Sequence, residues 1–309
     1  MGAITPYRMK KPVISILQFH KEYPDNDTCL QKLFNDRFPK PTCPACKRVN
    51  QYHRIASRSR FSCACGMHHI FPKKGTIFEK SDTDLVKWFF AIYLFSQSRN
   101  GVAAKELERE LQVTYKTAWR MAKEIRKLMQ DETELLSGEV EADETWIGGR
   151  RERKHKMDNK TIVFGAVQRK GKVSTRIIKD TTEQSLLESV RDNVAKGSKL
   201  MTDEYRSYKS IANIEGHDHS TVRHSGNEYV RGNTHTNTIE GFWSQLKRSI
   251  DGTYHVVSPK YLSSYLSEFS FRYNFGRRED AHLFDVLLGR VSLPHVVAAA
   301  RIALYYQTC

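Results

Sequence analysis

The sequence lacks an apolar run long enough to cross a membrane. Its longest apolar stretch, Leu85 to Phe95, is interrupted by Lys87 and is shorter than the roughly 20 residues that a bilayer requires. The N-terminal residues contain neither a sustained apolar segment nor a small-residue cleavage site, so no signal peptide is predicted. We therefore expect a cytoplasmic protein in which residues 85–95 form a buried helix.

Acidic residues are in short supply relative to basic ones. The 309 residues contain 35 Asp and Glu against 50 Lys and Arg, which gives a net charge of +15. Such a balance favours a polyanionic partner, most often nucleic acid, although a protein can also be basic without one. The sequence shows no internal repeat and no low-complexity segment, and its length allows one to three domains.

Cysteine is scarce, with six residues in the whole chain. Four of them lie in two close pairs, Cys43 with Cys46 and Cys63 with Cys65. Cytoplasmic thiols are metal ligands more often than disulfides, and two such pairs are typical of a structural Zn²⁺ ribbon. The second pair is C-x-C, which leaves the fourth ligand open because His68 or His69 could replace one sulfur. Four buried free cysteines are the alternative.

Residues 104–128 combine two amphipathic segments around a turn at Gln112 and Val113. Thr114 can cap the second segment. Its predicted inner residues are Ala118, Met121, Ala122 and Ile125, and its predicted outer residues are Lys116, Arg120, Lys123, Arg126 and Lys127. The pattern predicts a helix-turn-helix whose second helix enters the major groove of DNA, although a purely structural helical hairpin has the same periodicity.

Three acids and a lysine stand at informative positions. Asp143 lies within a strand pattern (139–147), Asp203 directly follows a short strand, and Glu240 lies on an amphipathic helix with Lys247 seven residues later. An acid inside an apolar strand must be paired, hydrogen-bonded or metal-bound. Carboxylates bind hard divalent cations, and a pair of Mg²⁺ or Mn²⁺ ions assists displacement at a phosphodiester. The three acids are therefore predicted to hold such ions, with Lys247 binding phosphate.

Further residues are predicted to contact DNA or support the acids. His235 and Asn237 could orient Glu240 or contact phosphate, and helix capping is an equal alternative. The segment 148–160 is predicted to be a basic arm along the DNA backbone, with an ordinary solvated loop as the alternative. The predicted DNA contacts are Lys116, Arg120, Lys123, Arg150, Arg151, Arg153, Lys154 and Arg248.

The order of elements predicts an α/β fold. Three strands, a helix, a strand and further helices follow one another in the order of a ribonuclease-H-like core. The predicted division is a helical segment (1–38), a zinc ribbon (39–80), a helix-turn-helix domain (81–136), a ribonuclease-H-like catalytic domain (137–290) and a C-terminal helical tail (291–309).

The quoted segments resemble bacterial insertion-sequence transposases of the DDE superfamily, in the group with a zinc ribbon ahead of a ribonuclease-H-like core. The matching motifs are ADETWIGG (142–149), MTDEYRSY (201–208), HTNTIEGFWSQLKR (235–248), FRYNFGRR (271–278) and GTIFE (75–79). The resemblance implies that Asp143, Asp203 and Glu240 are metal-binding catalytic acids. In some relatives an asparagine takes the third position.

The same resemblance implies a homodimer or larger synaptic complex that cuts the ends of an insertion sequence in double-stranded DNA and joins them to a target. Two alternatives remain at the level of sequence. One is a ribonuclease-H-like nuclease or resolvase that only hydrolyses DNA. The other is a zinc-ribbon DNA-binding regulator with an inactive core.

Overall fold

The structure, a computed structural model, describes residues 14–56, 58–131, 134–148, 160–203, 218–222, 235–276 and 282–292. Contacts divide these residues into two units. The first consists of described residues up to 98, of 104–128 and of those from 282 onward, and the second of 99–103 and described residues between 129 and 276.

The first unit begins with two short helices and a small antiparallel sheet. These elements are α1 (Ile16–Glu22), α2 (Asn26–Arg37), β1 (Tyr52–Arg54), β2 (Phe61–Cys63) and β3 (His69–Ile70). The sheet order is β1-β2-β3. Ser15 and Asp25 begin the two helices, and each side chain accepts a hydrogen bond from a backbone N–H of the first turn.

Three further helices follow, α3 (Leu85–Gln97), α4 (Ala104–Leu111) and α5 (Tyr115–Lys127). The predicted buried helix is observed as α3, whose buried residues include Trp88, Phe89 and Phe95. No helix within the described ranges has the length and apolarity to cross a bilayer. Thr114 caps α5 as predicted, since its side chain accepts a hydrogen bond from the N–H of Thr117.

The second unit contains a five-stranded mixed sheet. Its strands are β4 (Glu139–Ile147), β5 (Thr161–Gln168), β6 (Val173–Ile178), β7 (Lys199–Asp203) and β8 (Asp218–Val222), in the order β6-β5-β4-β7-β8. β5 is antiparallel to both β4 and β6, whereas β7 runs parallel to both β4 and β8. The predicted α/β class is confirmed. A turn at Lys170 and Gly171 joins β5 to β6, and the Gly171 N–H donates to the Gln168 carbonyl there.

Helices cover both faces of this sheet. They are α6 (Glu183–Asn193), α7 (Asn237–Ser249) and α8 (Pro259–Phe275), and a π-helical turn (Ile250–Tyr254) follows α7. Val140 and Ala142 of β4 share a buried cluster with α6, whereas Ile147 belongs to the cluster of α7 and α8. Because successive strand residues point to opposite faces, the odd-numbered residues of β4 lie on the α7 side.

One more helix, α9 (Leu283–Ser292), packs with the first unit. Its Phe284 ring contacts Phe19, Tyr23 and Tyr93. The predicted catalytic range of 137–290 includes most of this helix. An apolar helical stripe shows that a helix will be buried but not which neighbour buries it.

Candidate active site and metal centre

Asp143 lies in the middle of β4, on the face that α7 covers. Its neighbour across the β4–β5 pair is Gly165. The absence of a side chain at Gly165 admits the indole of Trp243, because a Cβ there would lie 2.4 Å from that ring. Trp243 Nε1 donates a hydrogen bond to Asp143 Oδ2 at 3.0 Å. The indole thus links the predicted acid on the strand to α7.

Asp203 ends the strand beside Asp143. The parallel register pairs Glu141 of β4 with Met201 of β7. Asp143 and Asp203 each stand two residues after this last pair, so both acids lie just beyond the paired part of the two parallel strands. Both side chains are partly exposed.

Glu240 lies one turn before Trp243 on α7 and is exposed. Its Oε1 accepts a hydrogen bond from Thr236 Oγ1 at 2.8 Å. Thr236 is buried and occupies the N-cap position. This hydrogen bond from the N-cap residue of the same helix therefore holds the Glu240 carboxylate in one conformation.

The charges of Asp203 and Glu240 both influence the pKa of Asp143, so the three predicted acids are electrostatic neighbours. Burial, followed by the negative charges of Glu144, Asp203 and Glu240, raises the pKa of Asp143 to about 7, although the backbone N–H of Glu144 lowers it. A carboxyl group whose pKa is raised by neighbouring acids suits a divalent cation, because the cation relieves their repulsion. Within the described ranges, the cysteine cluster is the one group in which three or more metal-ligating side chains already bring their donor atoms together.

Glu141 is the residue that sequence reasoning missed. It is 0% exposed, and its carboxylate accepts hydrogen bonds from the Arg169 guanidinium and from the first turn of α7. It lies two residues before Asp143, on the same face of β4. Its one sequence signal is that a charged residue stands at an inward position of a buried strand.

The other predicted residues around α7 have separate positions. Lys247 is exposed and lies about two turns after Glu240. His235 is partly buried, and its Nδ1 lies 3.2 Å from Glu141 Oε1 rather than at Glu240. Asn237 is the exposed first residue of α7, whereas the N-cap position belongs to Thr236.

The predicted DNA-contacting residues of α5 lie mostly outward. Lys116 and Arg120 are exposed, and Lys123 is partly exposed, with its ammonium 5.6 Å from the Trp119 ring centre. The prediction for Arg126 was wrong. Arg126 is 4% exposed, and its guanidinium lies 5.5 Å from the ring centre of Phe95. Arg126 is buried together with Ile125 where α5 packs against α3, and a guanidinium can stack there on an aromatic face.

The other predicted DNA contacts lie outside α5. Arg248 is exposed near the end of α7, and its Nε donates to the Ser244 carbonyl at 3.2 Å. The remaining predicted contacts lie outside the described residues, namely Arg150, Arg151, Arg153 and Lys154.

The four paired cysteines converge in the first unit. The sulfurs of Cys43, Cys46, Cys63 and Cys65 all lie within 4.8 Å of one another. Sγ–Sγ separations are 3.7 Å between Cys43 and Cys65 and 3.6 Å between Cys46 and Cys63. Tetrahedral Zn²⁺ with Zn–S bonds near 2.3 Å requires about 3.8 Å between sulfurs. The donor set therefore fits a structural zinc ion.

The structure also places the two histidines that could have replaced a sulfur. His68 Nδ1 is hydrogen-bonded to the Tyr52 hydroxyl at 2.7 Å. His69 Nδ1 is buried without a hydrogen-bond partner, and neither histidine belongs to the converging group. Cys65 thus completes the converging group of four sulfurs, and the C-x-C spacing is compatible with that group.

Comparisons with known proteins agree with the sequence resemblance. Residues 135–274 match the family described as the ISXO2-like transposase domain. The chain is 26% identical over 267 residues to an uncharacterized protein in transposable element ISH50 of Halobacterium salinarum, covering 80% of this chain and 90% of that protein. It is 27% identical over 105 residues to an uncharacterized transposase-like protein of Haemophilus influenzae, covering 34% of this chain and 83% of that protein.

A comparison with solved structures finds a chain of a simian T-cell lymphotropic virus intasome in complex with the PP2A regulatory subunit B56 gamma. The identity is 15% and the TM-score 0.29, with 53% of this chain and 63% of that chain covered. The match thus spans less than two thirds of the intasome chain, and its TM-score is too low to assign a fold.

Proposed function

The chain carries a transposase domain of the ISXO2-like family, within the insertion-sequence transposases of the DDE superfamily, and from this premise we propose its specific activity. The protein binds the ends of an insertion sequence and catalyses metal-dependent cleavage and strand transfer of DNA.

The observation that supports this proposal best is the setting of Asp143. Asp203 and Glu240 act on it electrostatically from a parallel neighbouring strand and from α7. The strand order β6-β5-β4-β7-β8, with an antiparallel β4–β6 meander and parallel β7 and β8, is the arrangement expected of a ribonuclease-H-like core. In this proposal Asp143, Asp203 and Glu240 hold two Mg²⁺ or Mn²⁺ ions. Bound there, the ions would activate an attacking oxygen and stabilise a leaving one.

The residues of the chain have distinct roles in the proposed reaction. Trp243 fixes one oxygen of Asp143 through its indole N–H, which leaves the other oxygen for a cation. Lys247 stabilises a substrate phosphate as a point charge. Water hydrolyses the phosphodiester at the element's end and releases a 3′-hydroxyl. That hydroxyl then attacks a target phosphodiester, so that one phosphodiester bond forms as another breaks.

The first unit supplies DNA recognition in this proposal. Its α4–α5 pair acts as a helix-turn-helix, with Lys116 and Arg120 on the exposed side of α5, and the cysteine cluster binds Zn²⁺ as a structural ribbon. The excess of basic residues suits a DNA partner. Two element ends must be handled together, so the active form is proposed to be a homodimer or larger synaptic complex.

A strand-transfer assay tests the proposal. Labelled duplexes that carry the DNA flanking the coding region are incubated with the protein, Mg²⁺ and target DNA. Asp203→Ala should abolish cleavage and joining but retain DNA binding. Glu188→Ala is the matched control, because Glu188 is an exposed acid on α6 of the same unit. Equal cleavage by Asp203→Ala and the parent would contradict the proposal, and cleavage without joined products would indicate a nuclease.

A further inference from the structure

Glu141 is an acidic residue that is fully buried from solvent. Its carboxylate is 0% exposed, and a carboxylate in such a position is costly unless charged or hydrogen-bonding partners surround it. The catalytic proposal above does not use this residue. Its partners indicate what it does.

The partners of Glu141 come from the start of α7 and from the turn after β5. Oε2 accepts the backbone N–H groups of Thr238 and Ile239 at 2.7 and 3.1 Å. Oε1 accepts the Thr238 hydroxyl at 2.8 Å and Nε of Arg169 at 2.8 Å. Arg169 also donates to the carbonyl of His235, just before the helix, at 3.1 Å. One carboxylate thus joins the strand meander to the first turn of α7.

These bonds replace a local helix cap. The first N–H groups of a helix have no partner within it, and the positive end of the helix dipole favours an anion there. Thr236 makes no capping hydrogen bond with its side chain, because its hydroxyl donates to Glu240 instead. Glu141 supplies the missing acceptor from β4.

Glu141 and its hydrogen-bond partners lie beside the candidate active site. Glu141 and Asp143 lie two residues apart on one face of β4, and Glu240 directly follows Ile239, whose N–H is bound. We propose that Glu141 is a positioning residue, which fixes the start of α7 on β4 and so sets Glu240 at the right distance from Asp143. This assignment rests on the proposed function, since it concerns the same three acids. It does not require Glu141 to touch a metal or DNA.

Cation binding and amide exchange test the assignment in the full-length, zinc-loaded protein. Mn²⁺ binding is measured by electron paramagnetic resonance for the parent, Glu141→Gln, Glu240→Gln, Asp143→Asn and the double variant of Glu141 and Glu240. Glu141→Gln should weaken Mn²⁺ binding roughly 10- to 100-fold, as loss of a residue that orients a ligand does. It should add little in the Glu240→Gln background, because both changes act through one ligand.

The matched control is Glu268→Gln. Glu268 is also 0% exposed and bound to an arginine, Arg272, but it lies on α8 and also accepts a hydrogen bond from the Tyr254 hydroxyl. Both variants should lower thermal stability, whereas only Glu141→Gln should weaken Mn²⁺ binding. Equal loss of Mn²⁺ affinity in the two would mean a merely structural role and overturn the assignment.

Hydrogen exchange provides a second measurement. The amides of Thr238 and Ile239 should exchange faster in Glu141→Gln than in the parent, with α8 unchanged. Thr238→Val, which removes one hydroxyl donor, is the milder variant should Glu141→Gln fail to fold, and it should show the same two effects at smaller size.

The outcomes separate the two proposals. If Asp143→Asn and Glu240→Gln bind Mn²⁺ as the parent does, the proposed function fails and this assignment fails with it. If those variants lose affinity while Glu141→Gln and Thr238→Val keep it, or if the α7 amides exchange unchanged, only the assignment is overturned.

Discussion

The indole of Trp243 occupies the space in which a side chain at residue 165 would lie. A Cβ on Gly165 would meet the Trp243 ring at 2.4 and 2.6 Å and the Ile239 side chain at 3.2 Å. Gly165 is also the cross-strand neighbour of Asp143, the acid to which the indole donates. The glycine therefore allows α7 to approach the sheet at the candidate active site.

We expect Gly165→Ala to displace the indole and weaken its hydrogen bond to Asp143. Overpacking of this kind costs about 1–3 kcal/mol of the free energy of unfolding, measurable by urea denaturation. Gly241→Ala on α7 is the control, since a Cβ there meets nothing within 4 Å. The control should be neutral or stabilising by up to about 1 kcal/mol, because alanine favours the helix. Equal stability of Gly165→Ala and the parent would show that the contact is easily relieved.

The cysteine cluster leads to a prediction about zinc content. Cys65→Ser should lose bound zinc, and His68→Ala should keep it, because the structure directs His68 to Tyr52. Zinc is measured by atomic emission on purified protein. Removal of zinc by a chelator should unfold residues 40–80 and leave the second unit folded, as followed by hydrogen exchange. Zinc loss in His68→Ala, with retention in Cys65→Ser, would reverse the ligand assignment.

Two arginines on α5 should behave differently. Arg120 is exposed and Arg126 is buried against Phe95. Arg120→Ala should weaken DNA binding and lower the slope of log affinity against log salt by about 1. Its loss of thermal stability should be small, because the Arg120 hydrogen bonds to the Glu79 and Lys80 carbonyls are long and exposed. Arg126→Ala should instead lower the melting temperature, because it removes a packed side chain. A DNA affinity measured across salt concentrations and a thermal melt separate the two effects, and unchanged salt dependence in Arg120→Ala would argue against a phosphate contact.

The sequence allowed some of this architecture to be predicted, and the reason differs between elements. Thr114 and the apolar residues of α5 follow local rules of capping and periodicity, so the helix was predictable from its own residues. The cysteine pairs were predictable because metal ligands recur at short intervals. Asp143 was identifiable because an acid within an apolar strand requires an explanation.

The residues that were missed depend on partners far away in the chain. Glu141 is bound by Arg169 and by Thr238, which are 28 and 97 residues away. Arg126 stands four residues after the inward-facing Ala122, at the edge of the apolar stripe, but its charge favoured an exposed position, and the packing of α3 against α5 buries it. Local pattern does not encode such partners, so neither role could be predicted from sequence.

The raised pKa of Asp143 predicts how stability depends on pH when no divalent cation occupies the acids. Asp143 titrates at about 7 in the folded protein, against 3.8 for the ordinary group. Between these values the folded state holds a proton that the unfolded state releases, so the free energy of unfolding falls as pH rises from about 4 to about 7. Asp143→Asn removes this loss, and its amide oxygen can still accept from Trp243.

Asp143→Asn should therefore match the parent near pH 4 and become more stable than it as pH rises, by on the order of 1–3 kcal/mol above pH 7. The measurement is urea denaturation from pH 4 to 8 in Mg²⁺-free buffer. Asp180→Asn is a control of opposite sign, because hydrogen bonds from Ser185 and Thr182 lower the pKa of Asp180 to about 2. Asp180 stabilises the fold above pH 4, so Asp180→Asn should be the less stable protein there. A stability difference for Asp143→Asn that does not vary with pH would mean that Asp143 is not held among the other acids.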